Sequence, residues 1–404
     1  MRDHALVLSA QLTYSLLRFA AFALLAHLLT KSEMGQVMFA LNYTLIFTFL
    51  GTLGLDNAYT HFTAQFQLEH STERLQRLIA HAMWVASIWG TAVSVVGAII
   101  CLTGFQLLGF IEVMLFMLSV PFALMHMYGL GISLGMRSLA SYTILFIAQP
   151  ALFIIFLLAL NGINKLHILE IAFSFVISYI ISALGVFWKI TRHIPIIWRD
   201  LSLNWEELRN QIKFSAFIYA NLISLFLNSR WPILALGWLN QVEQIAYYSL
   251  AAPIAEASLQ IARSVGLVLL ARTSSGQPPS HTSVLVTVLL YIPAIGGLVV
   301  LAPWIVPQLF GNDYRATTLL IQILAPGMIP LAAGILYTNM LTGIGHPWCG
   351  ALAAIASLGA MILASAFLIP RYSALGAAIA SGLAYLTYGA SAFIFSRKIF
   401  PKQL

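Results

Sequence analysis

Hydrophobic residues run along this chain in blocks rather than in alternation. Twelve stretches of mostly apolar residues, at about 5–29, 37–64, 79–102, 110–132, 139–160, 168–189, 211–236, 244–271, 283–303, 317–341, 350–369 and 375–396, are separated by short polar segments such as EHSTERLQR at 69–77 and SSGQPPSH at 274–281. A helix needs ~20 consecutive apolar residues to cross a bilayer, so each stretch predicts a membrane-spanning helix. The expected fold is all-α and polytopic, with 12 transmembrane helices.

Composition points the same way. Of 404 residues 60% are hydrophobic and only 8% charged, with mean hydropathy +0.89, against roughly 25% charged residues in soluble domains. The net charge of +7 would suggest nucleic acid in a soluble protein. Here the positive-inside rule accounts for it. With the N-terminus inside, thirteen of the 20 Lys and Arg residues fall on cytoplasmic segments, four (Lys31, Lys165, Arg315, Arg371) fall on outer loops, and three lie within spans. An even number of spans places both termini in the cytoplasm. The first span is too long for a secretory signal and carries Arg18, so it is expected to be retained. Cys101 and Cys349 fall near opposite membrane faces, beyond the ~7 Å reach of a disulfide.

The longest charged connection, KITRHIPIIWRDLSLNWEELRN at 189–210, divides the chain into an N-terminal bundle (1–189), a cytoplasmic linker (190–210) and a C-terminal bundle (211–404). Leu201, Trp205, Leu208 and Ile212 recur at helical spacing, which predicts a short interfacial helix leading into the seventh span. LLTKSEMG at 28–35 aligns with GWLNQVEQI at 237–245 at an offset of 210, bringing Arg18 within two residues of equivalence with Arg230. Paired repeats are a recurring plan of transporters. Pro121, Pro150, Pro232, Pro253, Pro293, Pro326 and Pro330 lie inside spans, where neighbouring groups can satisfy the carbonyls they free. Gly376 and Ala380, four apart, predict close packing of the last span.

Three cations at membrane depth carry the functional argument. A charge there costs at least ~2.5 kcal/mol and faces a wet cavity or a partner. From a rise of ~1.5 Å per residue, Asp56 and Arg263 come out roughly 12 Å from the cytoplasmic helix ends, Arg18 and Glu256 about 20 Å, and Arg230 about 28 Å. Arg18, Arg230 and Arg263 are the candidate substrate-binding residues, since a guanidinium presents a planar donor fork to phosphate. Asp56 and Glu256 are candidates for charge pairing, Arg18 with Asp56 and Arg230 or Arg263 with Glu256, or for binding a coupling ion, H+ or Na+. His126, inside the fourth span, reads as a hydrogen-bonded packing residue, and Glu112 and Glu170 lie near outer helix ends. No motif of a metal hydrolase, ATPase or serine hydrolase occurs, so no metal or other cofactor is expected.

Four stretches together carry a family resemblance: LLTKSEMGQVMFALNYTLIFTFLGTLGLDNAYTHFTAQ at 28–65, LAAPIAEASLQIARSVGLVLLAR at 250–272, LFGNDYRATTLLIQILAPGMIP at 309–330, and LTGIGHPWCGALAAI at 341–355 leading into FLIPRYSALGAAIASGL at 367–383. In order and number of spans the chain resembles the O-antigen-type polysaccharide flippases of the multidrug/oligosaccharidyl-lipid/polysaccharide exporter (MOP) superfamily. The resemblance implies two six-helix bundles around a central cavity, alternating between inward and outward openings in a bacterial inner membrane. It implies a polyprenyl-pyrophosphate-linked oligosaccharide as substrate, with membrane lipid, a polysaccharide polymerase and chain-length machinery as partners and no nucleic acid. Where that family often has a proline and an arginine, this chain has Ala271-Arg272 and Thr60-His61. Tyr14, Tyr43, Tyr219 and Asn221 are expected to line the sugar-accepting space. The alternatives are a multidrug or cation antiporter of the same superfamily and a membrane glycan polymerase or ligase. The antiporter would want acidic groups in its lumen, and the polymerase a long outer loop.

Overall fold

A computed structural model of the chain describes residues 2–162, 166–194 and 205–400. Among them all regular structure is helical: α1 (Arg2–Leu28), α2 (Lys31–Thr52), α3 (Leu55–Leu68), α4 (Thr72–Gly104), α5 (Phe110–Gly135), α6 (Leu139–Asn161), α7 (Ile168–His193), α8 (Trp205–Trp238), α9 (Val242–Ala257), α10 (Gln260–Ser274), α11 (His281–Phe310), α12 (Ala316–Gly343) and α13 (Pro347–Ile399). Among the described residues nine helices are long and apolar enough to cross a membrane, or ten if α9 and α10, which meet at a 43° bend, make one span. The protein is a multi-pass membrane protein. Its chain divides into two compact units, Met1–Ala216 and Phe217–Leu404.

The apolar blocks of the sequence become helices at nearly the positions their lengths predict, and two of them are broken. The second stretch splits into α2 and α3 at Leu53 and Gly54, both left-handed (φ 49° and 73°). The eighth splits at Ser258 and Leu259. The last two run together as α13, interrupted at Ser373 (φ 52°). Most prolines inside the helices leave them continuous. The breaks fall at Gly54, at Ser258 and at Ser373. The predicted short interfacial helix differs too. Trp205, Leu208 and Ile212 belong to the continuous α8, and Leu201 lies outside the described residues.

Helix starts are fixed by carboxylates. Glu33, Glu112 and Glu170 each accept a hydrogen bond from the backbone N–H three residues earlier, at Thr30 (3.0 Å), Gly109 (2.7 Å) and His167 (3.0 Å). Each satisfies a donor that a helix leaves orphaned, at the positive end of the helix dipole. Glu112 and Glu170 are therefore capping residues.

In the N-terminal unit α5 is the hub, packing against α2, α3, α4 and α7. It also repairs the break in the second span. Tyr128 donates its hydroxyl to the carbonyls of Gly51 and Thr52, each at 3.2 Å, and Trp89 of α4 donates to Gly51 at 3.1 Å. These carbonyls lie at the interrupted end of α2, where lipid would offer no donor. Replacing Tyr128 with Phe keeps the ring and removes the donor. The expected loss is about 1–3 kcal/mol, read as a lowered thermal unfolding midpoint of the purified protein at unchanged helicity.

In the C-terminal unit α12 occupies the corresponding place, packed on α9, α10, α11 and most extensively α13. Close approach there rests on glycine. A side chain at Gly389 would run into the Pro330 carbonyl, and one at Gly376 into the Leu368 carbonyl across the Ser373 break. Ala380, four residues on from Gly376, is fully buried against Met361 and Ala384.

Candidate functional site

The intramembrane arginines fall into one group in each unit. In the N-terminal unit Arg18 lies on α1, half-buried, with its guanidinium 5.8 Å from the Tyr14 ring centre and 5.6 Å from that of Phe22. The spacing of four residues on either side stacks the three side chains along one face of the helix, and an aromatic face is a partial counter-charge for a cation. Tyr14 packs on Phe146 of α6 at 4.6 Å. Tyr179 of α7 lies within electrostatic reach of both Tyr14 and Arg18, and its ring meets His126 edge-on at 6.2 Å. His126 is 5% exposed, with Nδ1 buried and without a hydrogen-bond partner.

Asp56 stands apart from this group. It occupies the first turn of α3, two residues past the left-handed Gly54, where the helix N-terminus favours a negative charge. Its carboxylate accepts from Asn57 Nδ2 at 3.3 Å, and among the described residues no ion pair joins it to Arg18. The expected Arg18–Asp56 pair is therefore not formed. Tyr43 is turned into the unit's interior: its hydroxyl donates to the Gly97 carbonyl at 2.8 Å and its ring packs between Phe39, Phe47 and Phe105.

In the C-terminal unit four helices converge. Arg230 of α8 is 6% exposed, with Phe226 5.8 Å beneath its guanidinium. The Tyr385 hydroxyl of α13 lies within electrostatic reach of Arg230, of Arg263 on α10 and of Glu256 on α9, and Tyr248 within reach of Arg230 and Glu256. Tyr248 shares a 2.8 Å hydrogen bond with Ser381 of α13. Arg263 also acts on Tyr291 of α11, which hydrogen-bonds Ser258 at the break between α9 and α10, at 2.5 Å. Glu256 Oε1 is buried with no hydrogen-bond partner, and among the described residues no ion pair within 4.0 Å joins Glu256 to Arg263.

Asn221 lies one helical face away from this group, beside Gly350 and within hydrogen-bonding reach of Tyr388, whose hydroxyl pairs with Thr338 at 3.0 Å. Tyr219 is half-buried on the same helix. The tyrosines around the charges, Tyr179, Tyr248 and Tyr385, are absent from the sequence-level candidates. A signal exists in LAYLTYG at 383–389, where two tyrosines three residues apart interrupt an apolar helix; a buried phenol needs a partner.

Both units repeat one arrangement. An arginine-bearing helix, α1 or α8, leads through a short turn into a broken span, α2–α3 or α9–α10, with an acidic residue two positions from the break. Among the described residues no group of three or more His, Cys, Asp or Glu side chains forms a metal site.

Residues 1–270, two-thirds of the chain, match the family described as polysaccharide biosynthesis protein. The chain belongs to this family. No curated protein matches it significantly in sequence. Solved structures show where the family member stands in fold. It superposes on an inward-facing multidrug resistance MATE family transporter of the MOP superfamily with a TM-score of 0.80 at 14% identity, covering 96% of this chain and 95% of that one. The lipid II flippase MurJ in an inward closed conformation gives 0.70 at 14% identity, over 95% and 88%. A MOP superfamily transporter from Pyrococcus furiosus, described as having a binding pocket of reverse polarity, gives 0.62 at 13%, over 99% and 94%. The family member has a transporter fold of the MATE and MurJ kind.

Proposed function

We propose that this protein flips a polyprenyl-pyrophosphate-linked oligosaccharide, a repeat unit of an O-antigen or another surface polysaccharide, from the cytoplasmic to the periplasmic leaflet of a bacterial inner membrane. The observation that carries this reading is the set of arginines at membrane depth in otherwise apolar helices, Arg230 above all, which is 6% exposed on α8. A net positive group at membrane depth suits an anionic head group and repels a cationic drug. Arg18 of the N-terminal unit, flanked by Tyr14 and Phe22, is a further guanidinium at membrane depth.

Flipping requires no covalent step. The barrier is the transfer of a charged pyrophosphate and many hydroxyls through hydrocarbon, at several kcal/mol for each unsatisfied group. Guanidinium groups lower it by replacing water around the phosphates, and the prenyl tail never leaves lipid. On this reading the broken spans and the interrupted α13 count as twelve crossings with both termini in the cytoplasm. Tyr14, Tyr219 and Asn221 then offer polar edges to sugar hydroxyls, and a proton or sodium ion supplies direction.

The test is complementation. A strain lacking its flippase but carrying the cognate glycan cluster should regain surface polysaccharide when it expresses this chain. Retention of lipid-linked oligosaccharide on the cytoplasmic side, with the glycosyltransferases and polymerase demonstrably active, would overturn the assignment. Measured cation efflux from the same cells would then favour the antiporter.

A further inference from the structure

One end of the C-terminal unit gathers cations around an aromatic cluster and carries no acid. From residue 257 to the end of the chain Asp313 is the only Asp or Glu. It lies in the short turn after the last residue of α11, with Arg315 close by. The first residue of α11, His281, marks the opposite end.

Four helices meet at that end, and their contacts are aromatic. The His281 ring lies 5.2 Å from Phe400 and 6.3 Å from Phe393 of α13, and 5.6 Å from Tyr337 of α12. Trp348 lies 5.8 Å from Phe395, so both ends of the interrupted α13 are here. The end of α12 closes on the end of α10, where a side chain at Gly343 would run into Thr273, the neighbour of Arg272. Tyr337 and Phe400 belong to the same buried cluster as Leu269 of α10, Val284 of α11 and Cys349 of α13.

The polar groups stand outside this cluster. The Arg397 guanidinium lies 5.7 Å from the centre of the Phe393 ring, so that His281 and Arg397 flank one ring from two helices. His281 Nδ1 meets the Tyr337 hydroxyl at 3.3 Å, which leaves Nε2 as the remaining polar atom of the ring. His281, Arg272, Arg397 and Lys398 are exposed, and among the described residues no carboxylate pairs with them. Leu285 and Leu289 follow His281 at intervals of four, 58% and 56% exposed, and on α13 Phe393 (40%) and Leu386 (54%) precede Arg397 on one face. Each helix thus carries a hydrogen-bond donor at its end and a bare apolar face behind it. The positive-inside rule accounts for cations at one end of a membrane protein, but not for their arrangement about a shared ring.

We propose that the junction of α11 and α13 binds an anionic phospholipid of the surrounding leaflet, such as phosphatidylglycerol. Arg397 and the Nε2–H of His281 donate to the headgroup phosphate across Phe393, Lys398 and Arg272 add positive charge around it, and the acyl chains lie along Leu285 and Leu289. A guanidinium presents its donor fork to a phosphate, and each Lys or Arg near a membrane surface strengthens the hold on anionic lipid about fivefold. A zwitterionic headgroup brings its own cation and gains no such advantage. The bound lipid joins the start of α11 to the end of α13, whatever the cargo.

The test places the full-length protein in nanodiscs of equal parts phosphatidylglycerol and phosphatidylcholine with matched acyl chains, and counts the lipids retained after transfer to detergent by native mass spectrometry. Wild type should retain phosphatidylglycerol over phosphatidylcholine by about tenfold. Arg397→Gln should cut that preference about fivefold, and His281→Phe, which keeps a ring in the stack and removes the donor, by a smaller factor. Lys398→Gln gives the same reading should Arg397→Gln fail to fold. Arg315→Gln and Arg371→Gln, at the other end of the unit, should leave the preference unchanged. Equal retention of the two lipids by wild type, an undiminished preference in the folded Arg397 or Lys398 variant, or an equal fall in the Arg315 and Arg371 variants overturns the inference.

Discussion

Substituting Arg230 with Met should reduce glycan export about thirtyfold at matched membrane abundance. The residue is 6% exposed and lies over Phe226, so methionine fills much of the same volume and the change isolates the guanidinium. A hydrogen bond to a charged group contributes about 1.5–3 kcal/mol, and 2 kcal/mol is about thirtyfold. Arg230→Lys keeps the charge but loses the planar fork and should fall between the two. Quantifying surface polysaccharide against immunodetected protein in the complemented strain checks both. Wild-type export by Arg230→Met would remove Arg230 from the substrate path.

Gly131→Ala should cost about 1–3 kcal/mol or more in stability and lower the amount of protein recovered in the membrane. Its added Cβ would stand 2.5 Å from the Asp56 backbone carbonyl, and the same substitution at Gly135, one turn on, would stand 2.6 Å from that of Thr60. Both obstacles are backbone, which cannot rotate away as a side chain can. Thr60 meanwhile donates to the Gly131 carbonyl at 3.0 Å, tying α3 to α5 at this crossing. A variant that keeps the two helices apart should therefore also shift the turn that carries Asp56. Thermal unfolding of the purified variant, with Gly185→Ala as a control whose Cβ meets only one atom at 3.9 Å, distinguishes the close approach from a general intolerance of alanine. Equal midpoints for Gly131→Ala and wild type would refute the crossing as drawn.

The sequence is most readable where one physical requirement dominates. Bilayer thickness dictates the length of an apolar block, so α4 to α7 and α11 begin and end near their expected positions. The breaks were less readable because their causes are scattered. Gly54 sits within an unremarkable TLGLD and Ser258 within an equally unremarkable EASLQ, whereas Ser373 falls in the gap expected between the last two spans. The GISLG at 131–135 has the spacing of small residues that lets helices touch, and only the structure shows that it serves the α3–α5 crossing. Among the charges, the depth argument selected Arg18, Arg230, Arg263 and Glu256, because lipid penalises them wherever they are. Partners are another matter: pairing depends on rotation about each helix, which a lone arginine in an apolar block does not reveal. Hence Arg18 goes with Tyr14 and Tyr179 rather than Asp56, and Tyr385 emerges only once α8, α9, α10 and α13 are assembled.

The makeup of the C-terminal group has an electrical consequence. Two arginines and one glutamate carry a net charge of +1, and under the proposed function a bound pyrophosphate diester, with two negative charges, would bring the total to −1. A full elementary charge crossing the membrane potential gains or loses about 2.3 kcal/mol per 100 mV, and partial displacement scales accordingly. In a cell whose interior is negative, the empty group is drawn inward and the loaded group is pushed outward. The voltage that every respiring cell maintains would thus reverse its pull each time the cargo binds or leaves.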